Sequence, residues 1–297
     1  MMTPTLFSVS YAGLWGQHRL DLPSFLRKAG QLGYRAVELM GKRPHLSVLD
    51  ATPSEVDSLR QTADEAGVQI ATLAAYTSFT LARDTEIPAV EIQLAYVRQL
   101  ARLAGALGAK IVRVFTGYGT EPEGMARDWD VCVRAMRECA EIAAGEGVVL
   151  GVQNHHDVGV GAEAFAEFLD DVGHPNCRAM FDPWAPALHG DDLRAWARRL
   201  APRMVQTTLA DYVRLPRYAY VPGLVNYRRL EDMVRAVPLG EGFLDLAGFF
   251  AGLREGGFDG YVAYEMCSPL RGGGSEQNLD RSARSSLEKI WQWMGES

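Results

Sequence analysis

One phrase recurs along the chain and constrains its fold more than any other feature. A short apolar run rich in β-branched residues gives way to a loop and then to a longer amphipathic stretch. The short runs are LFSVSYA (6–12), AVELM (36–40), VQIATLAAY (68–76), KIVRVFTGY (110–118), VVLGVQNHH (148–156), AMFDPW (179–184), MVQTTLAD (204–211) and YVAYEM (261–266). Helical patterns lie between them, for example over 22–33, 54–67, 88–108 and 127–145. Gly33, Gly67 and Gly108 close three of these, at the position where a left-handed C-cap is least costly. Strict alternation of strands with helices implies a parallel sheet covered on both faces. Each strand–helix unit takes about thirty residues, so eight units use about 240 of the chain. The expectation is a single (β/α)8 barrel domain over 1–297, with an extended loop after strand 7 (213–230) and a C-terminal helix over 276–293. An open doubly wound sheet is the rival, but no GxGxxG turn is present, and P-loop, GxSxG and HExxH signatures are absent too.

Charge and apolar runs remove other classes. Thirty basic against 37 acidic side chains give a formal charge of −7, opposite to the basic footprint of a nucleic-acid binder. No apolar run reaches the eighteen or so residues of a membrane span, and the N-terminus lacks the basic region of a signal peptide. Cys132, Cys139, Cys177 and Cys267 form no CxxC pair, so they read as reduced, packed thiols of a cytoplasmic protein.

In a barrel, chemistry sits at the C-terminal ends of the strands. Polar residues that interrupt otherwise apolar strands therefore stand out: Glu38, Arg113, Gln153, His155, His156, Asp182, Gln206, Thr208, Asp211 and Glu265. Oxygen and imidazole groups from several strands suit a hard or borderline divalent cation. Strand period two puts Gln153 and His155 on one face, so at most one of the tandem histidines faces the mouth. Glu38 is either a substrate contact or the ion-pair partner of Arg113. The 213–230 segment carries arginines and tyrosines suited either to a sugar ring or to a subunit contact.

The order and spacing of these residues resemble the xylose-isomerase-like TIM-barrel superfamily of sugar isomerases and epimerases. The resemblance runs from Val37-Glu38-Leu39 to Tyr264-Glu265, and its most specific stretch is PLGEGFLDLAGFFAGLREGGFDGYVAYE (238–265). It implies a divalent metal, Mn²⁺ or Mg²⁺ before Co²⁺ or Zn²⁺, held at Gln153, Asp182, Thr208 and Glu265; a metal-free site stays open. Two of those positions depart from the family pattern, Gln153 standing for a glutamate and Thr208 for a histidine. A glutamine cannot accept a proton at neutral pH, so the two-glutamate proton exchange of the family is closed to this chain. The resemblance then implies Glu265 and His155 as catalytic groups, with Arg214, Glu38, His156, Trp184 and Asp211 binding substrate. The expected activity is metal-assisted proton abstraction beside the carbonyl of a sugar, keto-sugar or polyol, as an isomerase or epimerase. Alternatives are a lyase or dehydratase on a keto-sugar or inosose, and a catalytically silent sugar-binding barrel. The expected partner is a small sugar or polyol, not nucleic acid or a membrane, with homo-oligomerisation left open.

Overall fold

The computed structural model describes residues 1–80, 86–119 and 122–295. In chain order the strands are β1 (Thr3–Phe7), β2 (Ala36–Met40), β3 (Gln69–Ala74), β4 (Ile111–Val114), β5 (Val149–Gln153), β6 (Cys177–Met180), β7 (Gln206–Leu209), β8 (Asp211–Val221), β9 (Asn226–Val237) and β10 (Tyr261–Tyr264). The α-helices are α1 (Leu22–Leu32), α2 (Pro53–Ala66), α3 (Ala89–Leu107), α4 (Met125–Gly145), α5 (Ala162–Val172), α6 (Trp184–His189), α7 (Leu193–Leu200), α8 (Leu246–Glu255) and α9 (Glu276–Met294). Eight parallel strands pair in the order β6-β5-β4-β3-β2-β1-β10-β7. The ring closes between β6 and β7 through a single bridge, Ala179 to Met204, with Val205 N–H donating to the Ala179 carbonyl at 3.0 Å. A side chain adds to this seam: the Thr207 hydroxyl donates to the Phe181 carbonyl at 2.7 Å. The (β/α)8 barrel read from the sequence is therefore present.

Local signals place the helices as the sequence predicts. Asp21 caps α1 by accepting from Ser24 N–H, and Gly33 ends it at φ 93°. Thr52 and Glu55 form a capping box on α2, with Pro53 in its first turn. Along each strand alternate residues face outward to the helices and inward to the barrel axis. The outward residues join the large core, which includes Leu6, Val37, Leu39, Val112 and Val152. The inward apolar cluster is small and contains Phe7, Met40 and Ala74. Polar side chains fill the rest of the axis. No helix among the described residues is long and apolar enough to cross a membrane.

The segment expected as an extended loop is ordered as an antiparallel hairpin of β8 and β9. Its strand pattern is masked in the sequence because Pro216, which has no N–H to donate, falls where the register shifts between Leu215 and Arg217. The outer half exposes Tyr218, Tyr220, Leu224, Val225 and Tyr227. The base is held by Asp211, 1% exposed, whose carboxylate accepts from the N–H groups of Tyr212, Gly240, Gly242 and Leu244. A side chain at Gly242 would collide with that carboxylate, so the Gly-Glu-Gly turn is fixed by the clamp.

Removing the clamp strands four N–H groups at once. Asp211→Ala is expected to lower the unfolding free energy by about 2–4 kcal/mol, since each buried donor left unpaired costs about 1–3 and water recovers part. Asp211→Asn, which keeps one acceptor oxygen, should lose less. Urea denaturation followed by circular dichroism measures both.

Candidate active site

A chain of polar contacts crosses the barrel interior from β3 to β6. The Thr72 hydroxyl donates to Gln206 Oε1 at 2.5 Å, and Gln206 Nε2 donates to Glu38 Oε2 at 2.6 Å. Glu38 Oε1 faces Arg113 Nε at 3.8 Å, and both residues are buried. Arg113 Nη1 donates to Gln153 Oε1 at 3.0 Å, and Gln153 Nε2 donates to Asp182 Oδ2 at 3.0 Å. The other Asp182 oxygen accepts from Trp184 N–H at 2.8 Å. A guanidinium only donates and a carboxylate only accepts, so the orientation of the Gln153 amide is fixed. Asn154 braces the same turn: it accepts from Asp182 N–H at 2.6 Å and donates to the Asp182 carbonyl at 3.0 Å.

Burial sets the protonation of the carboxyls here. Asp182 is pushed up to about 6 by loss of water, against the bonds from Trp184 and Gln153 and the charge of Arg113. Glu265 is pushed up to about 8, first by burial and then by Asp182, with Arg113 opposing. Glu38 rises to about 7 for want of solvent, moderated by Arg113 and Gln206.

Above this chain lies a cavity of about 240 Å³. Glu265, Gln153, His155, His156, Arg113 and Cys267 supply its polar wall, and Phe7, Trp15, Tyr76, Phe115, Tyr118 and Trp184 contribute its aromatic wall. Strand period alone allowed one of the tandem histidines at the mouth, whereas the family resemblance implied roles for both; both line the cavity. β5 ends at Gln153, and His156 takes a positive φ of 65°, so strand alternation no longer applies. Both rings pack on Phe115, with centroids 4.4 and 4.7 Å away, and His156 also stacks on Tyr118 at 3.9 Å. Burial holds both neutral, His155 down to about 3 and His156 down to about 4. The tautomers follow from the contacts. His155 Nδ1 accepts the His156 backbone N–H at 3.0 Å and lies 3.0 Å from His156 Nδ1, so the shared proton sits on His156 Nδ1. That leaves His155 Nε2 as a donor and His156 Nε2 as an acceptor.

The sequence profile of the xylose isomerase-like TIM barrel matches residues 26–290. The chain belongs to that family. No curated protein sequence matches it at a significant level. Among solved structures it is similar to a D-psicose 3-epimerase crystallised with D-fructose (TM-score 0.76, 18% identity, covering 99% of this chain and 100% of that one). It is also similar to the 3-keto-D-glucoside 4-epimerase of E. coli (0.73, 15%, 98% and 100%). A third is a probable 3-DHS dehydratase from Bacillus anthracis (0.71, 16%, 97% and 98%). At these identities the likeness is one of fold.

Within this xylose isomerase-like barrel the expected residues separate into two groups. Glu265, Gln153, His155, His156 and Trp184 line the cavity. Asp182 lies behind Gln153, and Glu38 lies behind Arg113 as its ion-pair partner. Thr208 is fully buried in the barrel, its hydroxyl without a hydrogen-bond partner among the described residues. Asp211 is the backbone clamp of the hairpin. Arg214 stacks on Phe243 at 4.3 Å, and neither it nor the hairpin tyrosines line the cavity. In the sequence Arg113 stands out among the polar strand residues but has a role only as the ion-pair partner of Glu38, and Cys267 reads as a packed thiol. Arg113 is visible in the sequence as a cation inside an otherwise apolar strand run; Cys267 carries a signal only in its strand parity with Glu265.

The donor set fits the implied divalent metal poorly. Gln153 turns its only ligating oxygen to Arg113, and both Asp182 oxygens already accept N–H bonds. Among the described residues no group of three or more His, Cys, Asp or Glu side chains is placed to hold a metal ion.

The raised Glu265 carboxyl has a consequence for stability. Its folded pKa of about 8 lies above the ordinary 4.5, so its contribution is fullest below pH 4.5 and is lost as pH rises through 8. Glu265→Gln removes that loss. Its unfolding free energy relative to wild type should therefore grow between pH 5 and pH 9, on the order of 1–3 kcal/mol. Urea melts at the two pH values test this.

Proposed function

We propose that the protein is an enzyme that acts on a sugar, keto-sugar or polyol derivative by moving a proton next to a carbonyl, as an isomerase or epimerase. The observation that carries this reading is Glu265: a carboxyl on the wall of a small, aromatic-lined cavity, its pKa brought near neutrality by burial. A general base works best when its pKa lies close to the working pH. A cavity of about 240 Å³ falls below the range of about 300–1,000 Å³ typical of drug-sized ligands, and suits a single sugar ring. Aromatic walls supply flat apolar faces for the C–H side of such a ring. Glu265 takes the proton from the carbon beside the carbonyl. His155 Nε2–H donates to an oxygen of the substrate, and His156 Nε2 accepts from a hydroxyl.

A second reading, as a lyase or dehydratase, is favoured by Gln153. A symmetrical epimerisation needs a base on each face of the carbon, and the amide that stands opposite Glu265 in the family pattern cannot serve. With one base, the same carbanion loses a β-substituent, assisted by the donor His155.

Incubation in D2O with a panel of ketoses and 3-keto-glycosides, followed by ¹H NMR, distinguishes these outcomes. Deuterium should enter beside the carbonyl, with isomer interconversion for the first reading and loss of water or aglycone for the second. Glu265→Gln should slow the exchange by about 10²–10⁴-fold, the usual contribution of a general base. Exchange at the wild-type rate in that variant would remove Glu265 from the reaction.

A further inference from the structure

The buried cation of this barrel is part of the chain itself. Arg113 is 2% exposed, reaches the cavity wall from β4, and is enclosed by the rings of Phe7, Tyr76 and Phe115 at 5.3, 5.0 and 4.1 Å. A guanidinium stays charged at every accessible pH and carries five N–H donors. Two of these are hydrogen-bonded in the structure, to Gln153 Oε1 and to the Ala75 carbonyl at 3.2 Å. Its Nε is buried without a hydrogen bond among the described residues, 3.8 Å from Glu38 Oε1.

Other buried polar atoms are also without hydrogen bonds. Five buried side-chain polar atoms lack a partner among the described residues, and four of them belong to the barrel interior or its mouth: Glu38 Oε1, Arg113 Nε, Trp184 Nε1 and Thr208 Oγ1. Of these residues Arg113 and Trp184 line the cavity, and their unpaired atoms only donate, which suits an oxygen-rich ligand rather than a metal ion. Leaving such groups unpaired costs free energy, which a bound oxygen atom recovers.

Gln153 completes the pattern. A glutamate there would put a second carboxylate within hydrogen-bond distance of Asp182 and would call for a divalent cation or a proton. The amide instead passes from the Arg113 cation to the Asp182 anion with one donor and one acceptor, and balances without either.

We propose that Arg113 is the electrophile of this site, its guanidinium binding the substrate's carbonyl oxygen and the enediolate formed from it, so that turnover needs no divalent metal. This rests on the proton-abstraction reading above. In the step, the C–H bond beside the carbonyl breaks and its proton goes to the Glu265 carboxylate. The C–H electron pair becomes the new C=C bond, the carbonyl π pair moves to oxygen, and the resulting oxyanion accepts N–H bonds from Arg113. Return of the proton, or departure of a β-substituent with the electron pair, ends the sequence.

Three measurements on the full chain test this. Protein dialysed against EDTA is titrated with Mn²⁺ by electron paramagnetic resonance, and separately with glycolate, a small mimic of the enediolate oxygens, by calorimetry at pH 6. The D2O exchange is then repeated on the dialysed protein. The expected result is no stoichiometric Mn²⁺ binding, glycolate binding without metal, and exchange that survives dialysis. Arg113→Gln should weaken glycolate at least about tenfold and lower kcat by about 10²–10³-fold, the effect of removing one preorganised oxyanion donor. Arg113→Lys, which keeps the charge and guards against misfolding of the first variant, should restore part of the loss because it lacks the planar fork. In the double variant Arg113→Gln with Gln153→Glu, Mn²⁺ binding should appear. The proposal is overturned if wild type binds one Mn²⁺ per chain and exchange depends on it, or if both Arg113 variants keep wild-type glycolate affinity. Failure of the proton-abstraction reading looks different: glycolate binds through Arg113, yet no ketose or keto-glycoside exchanges.

Discussion

A guanidinium enclosed by aromatic rings and placed among carboxyls organises the interior of this barrel. A buried charge is costly unless it is paired and hydrogen-bonded, and Arg113 is only 2% exposed. Its neighbours on four strands are arranged to meet that demand: Glu38 on β2, the Ala75 carbonyl after β3, Gln153 on β5 and, through that amide, Asp182 after β6. The two glutamines, 153 and 206, each use the oxygen toward a donor and the nitrogen toward a carboxylate. They carry polarity across the axis without adding charge.

The same arrangement accounts for the titration behaviour of the site. Water is excluded from the strand ends, so acids rise and imidazoles fall, and Arg113 then acts in one direction on every neighbour. It restrains the rise of Glu38, Asp182 and Glu265, and it deepens the fall of His155 and His156. A carboxyl that holds its proton near neutrality thus faces imidazoles that refuse one. That difference in proton affinity within one small cavity is a property of the environment more than of the residues.

Much of the architecture was legible in the chain. Eight strand runs fell where the strands are because buried parallel strands leave an uninterrupted apolar signature, and Gly33, Gly67 and Gly108 all take positive φ at helix ends. The hairpin was not legible: its strands are charged, exposed and broken by Pro216. The site was legible as a set of positions but not as a set of contacts. Strand alternation put Gln153 and His155 on one face, yet it turned His156 away from the mouth, because the left-handed turn there breaks the period. The replacement of glutamate by Gln153 was visible as lost charge. Its partner was not, since strand order makes β4 and β5 neighbours but does not say which side chains meet across them.

The Asp211 clamp reaches further than the turn it fastens. The next residue, Tyr212, accepts from Phe243 N–H through its carbonyl, touches Cys267 Sγ with its hydroxyl at 2.8 Å, and lays its ring 4.6 Å from Trp184. Cys267 and Trp184 both form the cavity wall. The hairpin and the wall are therefore joined through two adjacent residues with no slack between them. Like a lever on a short fulcrum, the exposed arm is seated on the same pair of residues that backs the cavity wall.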